Sequence, residues 1–339
     1  MSRLKLNADE VRAVRALLSE LTSKYSSAED EGFLKDVSVF AHELPRRVRV
    51  FLNDFKHLEP APGVCVISGY PVDDAALGPT PGHWKARGGV SPTLAEEMLF
   101  FLFASLLGDV FGWATQQGGR LIHEVLPVKG DEDQQIGTGS KQTIWWHNED
   151  AFHPYRGDYV GLMCLRNPDR VPTTFASVDM LELDAGVTRK LFEPRYTIRP
   201  DESHAAKNGG HAGAADDTLK GAYRHIEEML NNPRPQPVMF GHPRSPYLRL
   251  DPYFMPPPED GDARRALDAL VRETDAKLTE VVLRPGDFLF VDNYRAVHGR
   301  KSFEARYDGA DRWLKRINVT RDLRKSRDSR ETGSSRIIN

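Results

Sequence analysis

Cysteine is rare in this sequence of 339 residues, with Cys65 and Cys164 as the two present. Two thiols are too few for a disulfide framework or a four-thiolate zinc site. Both lie in apolar runs, which predicts buried, reduced thiols. Long hydrophobic runs are also missing, because the run from Met98 to Leu107 is about half as long as a bilayer-spanning helix. Since the first residues contain no apolar signal core, we expect a cytoplasmic protein with no membrane partner.

An excess of charge of one sign is likewise absent. The sequence has 46 Lys and Arg against 49 Asp and Glu, a formal net charge of −3 at pH 7. Proteins whose main task is to bind nucleic acid usually carry a strong basic bias, so nucleic acid is not an expected partner. The glycine-rich loops that cradle nucleotide phosphates are missing too. These absences favour a small-molecule ligand other than a nucleotide.

The N-terminal third of the chain favours helices. Asn7, with Glu10 three residues later, forms the sequence pattern of a capping box, and apolar residues then follow at helical spacing. A second helix is expected after Pro45, and a third, more deeply buried helix through Met98–Leu107. Between these helices the apolar run Gly63–Gly69, bracketed by glycines, predicts a buried strand.

From Thr143 onward, short β-branched and aromatic runs alternate with Pro, Gly, Asn and Asp. This pattern predicts an antiparallel β-rich core, interrupted by helices near Asp217–Leu230 and Asp262–Glu280. Residues 202–216, rich in Gly, Ala and polar side chains, are interpreted as a mobile loop and an active-site lid. The basic tail, residues 323–339, is interpreted as a solvated helix that frays into a loose end.

A metal site is suggested by the pattern His-x-Glu, which occurs as His57-Leu58-Glu59, His147-Asn148-Glu149 and His225-Ile226-Glu227. Residues i and i+2 lie on the same side of a strand but nearly opposite each other on a helix. His225 falls in a predicted helix and His57 follows a helical segment. His147 instead follows a β-branched and aromatic run. We therefore expect His147 and Glu149 to reach one ion together, from one strand face.

A third ligand and two carboxylate-binding residues follow near the end of the chain. His298 lies on a short strand after a polar turn, and its neighbour Gly299 allows close backbone approach. Two imidazoles and one carboxylate on one face of an ion are typical of non-haem iron(II) oxygenases. Arg312 and Arg316 offer guanidinium forks, which bind carboxylates through two parallel hydrogen bonds. The alternative interpretation of these arginines is a pair of surface cations on an edge strand.

These residues resemble the clavaminate synthase-like branch of the iron(II)- and 2-oxoglutarate-dependent oxygenases, and more narrowly its hydroxylases of free L-arginine and related guanidino amino acids. The matching segments are 112–117, 146–156, 165–169, 292–300 and 306–322, in the expected order along the chain. The resemblance implies an α+β protein of one domain over residues 1–339. Its core is expected to be a distorted double-stranded β-helix, or jelly roll, with flanking helices.

The resemblance also implies the metal ligands. The facial triad that binds iron(II) falls on His147, Glu149 and His298. The residue between the first two ligands, Asn148, is commonly threonine in relatives. Its side chain is expected to point away from the metal, with little consequence for catalysis.

The co-substrate and the amino-acid backbone are assigned in the same way. The distal carboxylate of 2-oxoglutarate is expected on Arg312 and Thr174, with dioxygen as the second co-substrate. The resemblance implies that the α-amino group of the substrate binds at Gln116 and Glu149. The α-carboxylate is expected at Arg316.

The substrate side chain is assigned to two residues. Asp251 matches an aspartate that pairs with the substrate guanidinium. Some relatives have a second aspartate two residues later, where this sequence has Tyr253. The Tyr253 hydroxyl or ring is expected to compensate by accepting from, or stacking on, the guanidinium.

The predicted reaction is hydroxylation of free L-arginine at C3, C4 or both, in antibiotic or other specialised-metabolite biosynthesis, with succinate and CO2 as co-products. Alternatives are hydroxylation or desaturation of a cyclic guanidino amino acid such as enduracididine, hydrolysis by a zinc or manganese enzyme of cupin-like shape, and a jelly-roll binding protein without activity. A hydrolase has no need of a carboxylate clamp such as Arg312.

Overall fold

The computed structural model describes residues 1–86, 88–209 and 217–339. The α-helices are α1 (Ala8–Lys24), α2 (Glu31–Ala41), α3 (Arg46–Leu58), α4 (Asp74–Leu77), α5 (Leu94–Ser105), α6 (Ala185–Leu191), α7 (Ala206–Gly209), α8 (Asp217–Asn231) and α9 (Gly261–Lys277). Short 3-10 helices cover Val178–Met180, Glu202–His204, Pro252–Phe254 and Leu323–Ser329. The predicted helices are confirmed as α1, α3, α5, α8 and α9, whereas α2, α4, α6 and α7 were not predicted. None of the helices in the described ranges has the length and apolar composition of a membrane-spanning segment.

The strands are β1 (Ser2–Lys5), β2 (Val64–Ser68), β3 (Asp109–Trp113), β4 (Ile122–Val125), β5 (Ile144–His147), β6 (Tyr159–Arg166), β7 (Thr173–Ser177), β8 (Met239–His242), β9 (Ser245–Leu248), β10 (Thr279–Val281), β11 (Phe288–Asp292), β12 (Ala296–Arg300), β13 (Trp313–Thr320) and β14 (Ile337–Ile338). The larger sheet has the order β1-β2-β11-β6-β13-β3-β14, with β4 also paired to β13, and the smaller sheet has the order β10-β7-β12-β5. β8 and β9 form a separate antiparallel pair. The predicted antiparallel core is confirmed, but β1 and β14 pair in parallel with β2 and β3 at the edges of the larger sheet.

The two sheets lie face to face between two groups of helices. Side chains of β2, β6, β11 and β13 pack against side chains of β7, β10 and β12 in one hydrophobic cluster. The outer face of the larger sheet is covered by α1, α2, α3 and α5. The outer face of the smaller sheet is covered by α6, α9 and the β8–β9 pair. Because side chains alternate between the two faces of a strand, each central strand contributes to an inner and an outer core.

Helix α1 begins as the sequence predicts. Oδ1 of Asn7 accepts a hydrogen bond from the backbone N–H of Glu10 (2.9 Å), and Oε2 of Glu10 accepts one from the N–H of Asn7 (2.8 Å). This reciprocal pair satisfies two N–H groups that a helix end otherwise leaves free. The helix then buries Val14, Leu18 and Leu21 in the outer core of the larger sheet.

The C-terminal tail packs onto the larger sheet, which corrects the prediction of a loose end. Residues 323–329 form a 3-10 helix, and β14 pairs with β3 so that Ile338 lies opposite Trp113. Arg330 is buried and donates hydrogen bonds to three backbone oxygens in the turn before β14. The physical reason is that two apolar, β-branched residues at the chain end can cover an open sheet edge.

The predicted lid, residues 202–216, is described in part. Its first half forms the 3-10 helix Glu202–His204 and helix α7, and the side chain of His204 is buried. Residues 202–209 therefore form helical turns anchored by a buried histidine, where the sequence predicted a loop. Residues 210–216 lie outside the described residues, and closure of the segment stays a prediction.

Candidate active site

A cleft of about 830 Å³ is lined by residues of both sheets. The residues predicted from the sequence that line it are His147, Glu149, Asp251, Tyr253, His298, Arg312 and Arg316. Gln116 lines an adjoining cleft, which Arg316 also lines. Thr174 lines neither of these clefts.

The three predicted metal ligands come from neighbouring strands. β5 ends at His147, which lies directly opposite His298 in the antiparallel pairing of β5 with β12. A Cβ at Gly299 would lie 2.6 Å from a backbone oxygen of β5, so the strands approach this closely because the residue is glycine. The sequence predicted Glu149 on the same strand as His147, and the structure corrects this prediction. Glu149 lies in the turn that follows β5, where Asp150 has a φ of 50°. This turn carries the carboxylate to both imidazoles.

The ligand atoms converge on one point. Nε2 of His147 lies 3.7 Å, and Nε2 of His298 3.4 Å, from Oε2 of Glu149. Each of the three side chains offers a ligand atom within 4.8 Å of the other two. Ligand atoms bound about 2 Å from one ion are separated by roughly 3 to 4 Å. The set of two imidazoles and one carboxylate therefore fits iron(II), and such a set leaves coordination positions open.

Hydrogen bonding and charge set the protonation of the histidines. Nδ1 of His147 lies 2.7 Å from the backbone oxygen of Trp145, so a proton on Nδ1 leaves Nε2 free to bind metal. Burial acts to lower the pKa of His147, but Glu149 and Asp251 outweigh burial and raise that pKa to about 9. Burial lowers the pKa of His298. A metal ion bound at His147 would therefore displace a proton at neutral pH.

Glu149 is oriented through its second oxygen. The guanidinium of Arg316 donates to Oε1 of Glu149, and its Nη2 donates to Oε1 of Gln116 (3.0 Å). The same Nη2 lies 2.7 Å from Nδ1 of His123, whose Nε2 lies 3.0 Å from the backbone oxygen of Arg120. Burial, and then the charge of Arg316, hold the pKa of His123 well below its usual range, so the neutral ring accepts this hydrogen bond. The sequence prediction missed His123, which follows no motif.

Two buried asparagines fasten the turn that carries Glu149. The carboxamide of Asn148 donates to the backbone oxygens of Asn293 and Ala296 (both 3.0 Å) and accepts from the N–H of Leu250 (2.8 Å). Asn293 accepts from the N–H of Glu149 (2.7 Å) and donates to its backbone oxygen (2.9 Å). Both carboxamides are buried. The carboxamide of Asn148 is therefore directed to three backbone groups of neighbouring segments of the site, and the expectation of little consequence for catalysis stays a prediction.

Arg312 and Arg300 place two guanidinium groups at the cleft. Both side chains are buried. Burial lowers the pKa of Arg312 to about 10 and that of Arg300 to about 9, so both stay charged at neutral pH. The sequence prediction missed Arg300, although it stands two residues after His298 on β12 and so faces the same side of the strand.

The structure corrects the predicted placement of Thr174. In the pairing of β7 with β12, Thr174 lies opposite Gly299, whereas Thr173 lies opposite Arg300. Thr173 lines the cleft. Because successive residues of a strand face opposite sides, a difference of one position moves a hydroxyl from the cleft to the outer face of the sheet.

Asp251 supplies a buried carboxylate to the cleft. It forms no ion pair with any of the described residues, and burial raises its pKa to about 7. Asp201, which the sequence prediction did not single out, also lines the cleft and adds to this upward shift. The rings of Tyr253 and Trp145 are about half exposed beside these carboxylates, with centroids 6.4 Å apart.

A buried network behind Gln116 is a further feature that the sequence did not predict. Nε2 of Gln116 lies 2.5 Å from Oγ of Ser203 and 3.1 Å from Nε2 of His204. The same nitrogen of His204 lies 2.9 Å from a carboxylate oxygen of Asp150, whose other oxygen accepts from the indole of Trp113 (2.6 Å). The first half of the predicted lid therefore contacts the residue predicted to bind the α-amino group.

Similar proteins are oxygenases of amino acids. Residues 193–318 match the Taurine catabolism dioxygenase TauD, TfdA family. The chain is 45% identical to enduracididine beta-hydroxylase from Streptomyces hygroscopicus, and the alignment covers 100% of both chains. It is also 45% identical to L-ornithine/L-arginine 3-hydroxylase from Catenulispora acidiphila, again over 100% of both chains.

The fold is similar to that of the non-heme iron oxygenase OrfP. The crystal structure of OrfP with Fe, succinate and (3S)-hydroxy-L-Arg superposes with a TM-score of 0.95 and 47% identity, over 100% of both chains. OrfP has also been crystallised with Fe and alpha-ketoglutaric acid, and with Fe and L-Arg. Since the match covers the whole chain, it includes the strands and turns that place the residues of the cleft.

Proposed function

The chain belongs to the TauD/TfdA family of iron(II)- and 2-oxoglutarate-dependent dioxygenases, in its clavaminate synthase-like branch, and on this basis we propose that it hydroxylates free L-arginine at C3, C4 or both. Membership of this family removes the metal-dependent hydrolase and the binding protein from the alternatives. We also propose that the two facing sheets form the distorted double-stranded β-helix expected of this branch. Antibiotic or related specialised-metabolite biosynthesis is the proposed setting.

The residues of the cleft divide into metal-binding and co-substrate-binding groups. We assign iron(II) to His147, Glu149 and His298. Arg312 is assigned the distal carboxylate of 2-oxoglutarate, because a guanidinium fork matches a carboxylate. When bound, iron(II) with 2-oxoglutarate supplies the chemistry: one oxygen atom of O2 enters a substrate C–H bond, and the other enters the co-substrate, which leaves as succinate and CO2.

The role of the protein side chains is to position the amino-acid substrate by binding both of its charged ends. We assign the α-carboxylate to Arg316, and the α-amino group to Gln116 and Glu149. Arg316 donates to both Glu149 and Gln116 in the structure, so a zwitterionic α-amino acid can replace these two contacts by its own. Asp251 then pairs with the guanidinium at the other end. Anchoring at both ends holds C3 and C4 beside the proposed metal ligands.

The observation that carries this proposal is the buried carboxylate of Asp251. It lines the same cleft as Arg316 and forms no ion pair with any residue in the described ranges. A buried charge without a partner is unfavourable by several kcal/mol. Arginine supplies the missing cation, whereas an apolar side chain of similar length, as in norleucine, leaves Asp251 unpaired.

A panel of free amino acids tests the proposal. Each amino acid is incubated with the enzyme, iron(II), 2-oxoglutarate and dioxygen, and the masses of the products are measured by mass spectrometry. We expect arginine to gain one oxygen atom rapidly, and lysine and ornithine more slowly, because an ammonium lacks the planar fork. Norleucine should stay unchanged. Equal conversion of norleucine and arginine would refute the guanidino assignment.

Hydroxylation of a cyclic guanidino amino acid is a second candidate. It is favoured by the similarity over the full chain to a protein named enduracididine beta-hydroxylase. The ring of Tyr253 at the cleft can stack on a planar guanidinium, whether open or cyclic. Direct competition between arginine and enduracididine decides between the candidates, since the natural substrate has the higher kcat/KM.

A further inference from the structure

Strand β5 carries a β-bulge immediately before His147. The register of β5 with β12 shifts between His298 and Arg300. One residue separates these two positions on β12, but two residues, Trp145 and Trp146, separate their partners on β5. An extra residue of this kind bends the strand and changes the direction in which nearby side chains point. The bulge therefore decides which side chains β5 presents next to the proposed metal ligands.

The bulge lets two consecutive side chains of β5 face the cleft. Ile144 and Trp145 both line the cleft together with His147, although strict alternation would turn Ile144 to the opposite side. The indole of Trp146 does lie on that opposite side, where its N–H donates to a carboxylate oxygen of Asp275 (2.6 Å). Of the two neighbouring tryptophans, one is thus packed in the outer core and the other is presented to the cleft.

Trp145 meets a second aromatic segment at the cleft. Its ring centroid lies 6.4 Å from that of Tyr253, and the ring of Tyr253 lies 4.9 Å from that of Phe254. All three rings line the cleft, as do Asp251 and Asp201. The rings of Trp145 and Tyr253 stay about half exposed. Since the face of an aromatic ring attracts cations, these rings and carboxylates together suit a positively charged group.

We propose that the ring of Trp145 stacks on the substrate guanidinium and makes the enzyme prefer this planar cation to an ammonium. This inference rests on the proposed function, which pairs the guanidinium with Asp251. The bonds from a guanidinium fork to a carboxylate lie in the guanidinium plane, so both faces of the group stay free for stacking. The rings of Trp145 and Tyr253 are inclined to each other by 70°, so one ring alone can lie parallel to the guanidinium. Stacking falls to Trp145, because indole is the best aromatic partner of a cation.

The test compares the binding of arginine with that of lysine. Both amino acids have a side-chain cation that can pair with Asp251, but only the guanidinium of arginine is planar. Anaerobic titration calorimetry of the enzyme with iron(II) and 2-oxoglutarate gives a dissociation constant for each amino acid without turnover. The constant of lysine divided by that of arginine measures the preference for a guanidinium.

We expect Trp145→Leu to raise the dissociation constant of arginine about fivefold and that of lysine less than about twofold, so that the ratio falls. Trp145→Phe should keep most of the ratio, because it retains an aromatic face. A ratio that does not fall in Trp145→Leu would overturn the inference. Equal increases in both constants would mean that the ring merely supports the bulge and His147, and unchanged constants would mean that it does not contact the substrate.

Asp251→Asn separates this inference from the proposed function beneath it. If arginine binding weakens in Asp251→Asn but not in Trp145→Leu, the carboxylate alone holds the guanidinium and the inference is wrong. If Asp251→Asn binds arginine as tightly as the parent enzyme, the guanidinium assignment of the proposed function fails instead. Tyr307→Leu, which removes an exposed aromatic ring that lines neither cleft, is the matched control and should leave both dissociation constants unchanged.

Discussion

Glu149 is held from both of its carboxylate oxygens. Oε2 faces the two imidazoles, and Oε1 accepts from Arg316. Burial acts to raise the pKa of Glu149, but Arg316 and the two histidines outweigh burial and hold it well below its usual range. A carboxyl buried without such partners would take up a proton and cease to be a good metal ligand. Arg316 therefore serves the metal site as well as the proposed substrate carboxylate.

Replacing Asp251 by asparagine should lower kcat/KM for arginine at least 100-fold. Removing one partner of a buried ion pair costs about 3 to 5 kcal/mol, and about 1.4 kcal/mol corresponds to a factor of ten. Steady-state kinetics with arginine as the varied substrate measure this loss. The dissociation constant of 2-oxoglutarate should not change. Asp268→Asn, at an exposed position on α9, is the control. Unchanged arginine kinetics in Asp251→Asn would refute the role of Asp251 in binding the guanidinium.

Arginine turnover should also depend on pH through Asp251. Burial raises the pKa of this carboxyl to about 7, and only the deprotonated form, which prevails above the pKa, pairs with a guanidinium. We therefore expect kcat/KM for arginine to be constant above pH 7 and to fall about tenfold per pH unit below it. The measurement needs saturating 2-oxoglutarate and a check of iron content at each pH. A flat profile from pH 8 to pH 6 would contradict this expectation.

At the scale of secondary structure, the sequence predicts the strands that carry the site, and most of the site residues it predicts line the cleft, but it does not predict Thr173 or Arg300. His147 could be placed because the run before it is β-branched and aromatic. Thr173 and Thr174 are identical neighbours, so the choice between them depends on the register with β12. Register is fixed by contacts between distant segments, which a single sequence does not display.

The turn after β5 should depend strongly on Asn148. Asn148→Ala leaves the N–H of Leu250 and two backbone oxygens without these partners, and each unsatisfied buried group costs about 1 to 3 kcal/mol. We expect a loss of about 3 kcal/mol in the free energy of unfolding, measured by chemical denaturation. Asn148→Thr should lose less, because a hydroxyl can make some of these bonds. Asn232→Ala, at an exposed position, is the control and should leave the free energy of unfolding almost unchanged. Equal losses in Asn148→Ala and Asn232→Ala would contradict the role of Asn148 in this turn.

Strand β14 should contribute to stability although it is short. Ile338 is buried against Phe111 and Trp113, so Ile338→Ala removes buried methyl groups and leaves a cavity. We expect a loss of about 2 kcal/mol in the free energy of unfolding, from urea denaturation. Ser334→Ala, at an exposed position of the same tail, is the control. Equal unfolding midpoints for the two variants would mean that the tail is not held in solution.

At the scale of the whole molecule, buried charges join the helical layer to the larger sheet. Nζ of Lys315 lies 2.7 Å from carboxylate oxygens of both Glu97 on α5 and Glu124 on β4. The indole of Trp313 also donates to Glu124 (2.7 Å). Since Lys315 precedes Arg316 and successive residues face opposite sides of a strand, β13 is fastened on its outer face while it presents Arg316 to the cleft.

The sequence predicts the general architecture well because periodicity follows burial. The apolar runs that form β6 and β11 are buried on both faces, and the predicted helices α1 and α9 each carry one apolar face. The parallel edge strands β1 and β14 escape prediction, because each is short and forms through a partner far away in the chain. His204 escapes prediction because it lies in a segment of loop-like composition.

The position of the new hydroxyl group in the product of L-arginine tests the central claim most directly. If Arg316 and Asp251 anchor the two ends of arginine, C3 and C4, in the middle of the chain, are the carbons placed beside His147, Glu149 and His298. NMR of the purified product should then show a hydroxyl on C3 or C4, with one succinate formed for each hydroxyl group. A hydroxyl on C5 or on a guanidino nitrogen, or succinate formed while arginine stays unchanged, would contradict anchoring at both ends.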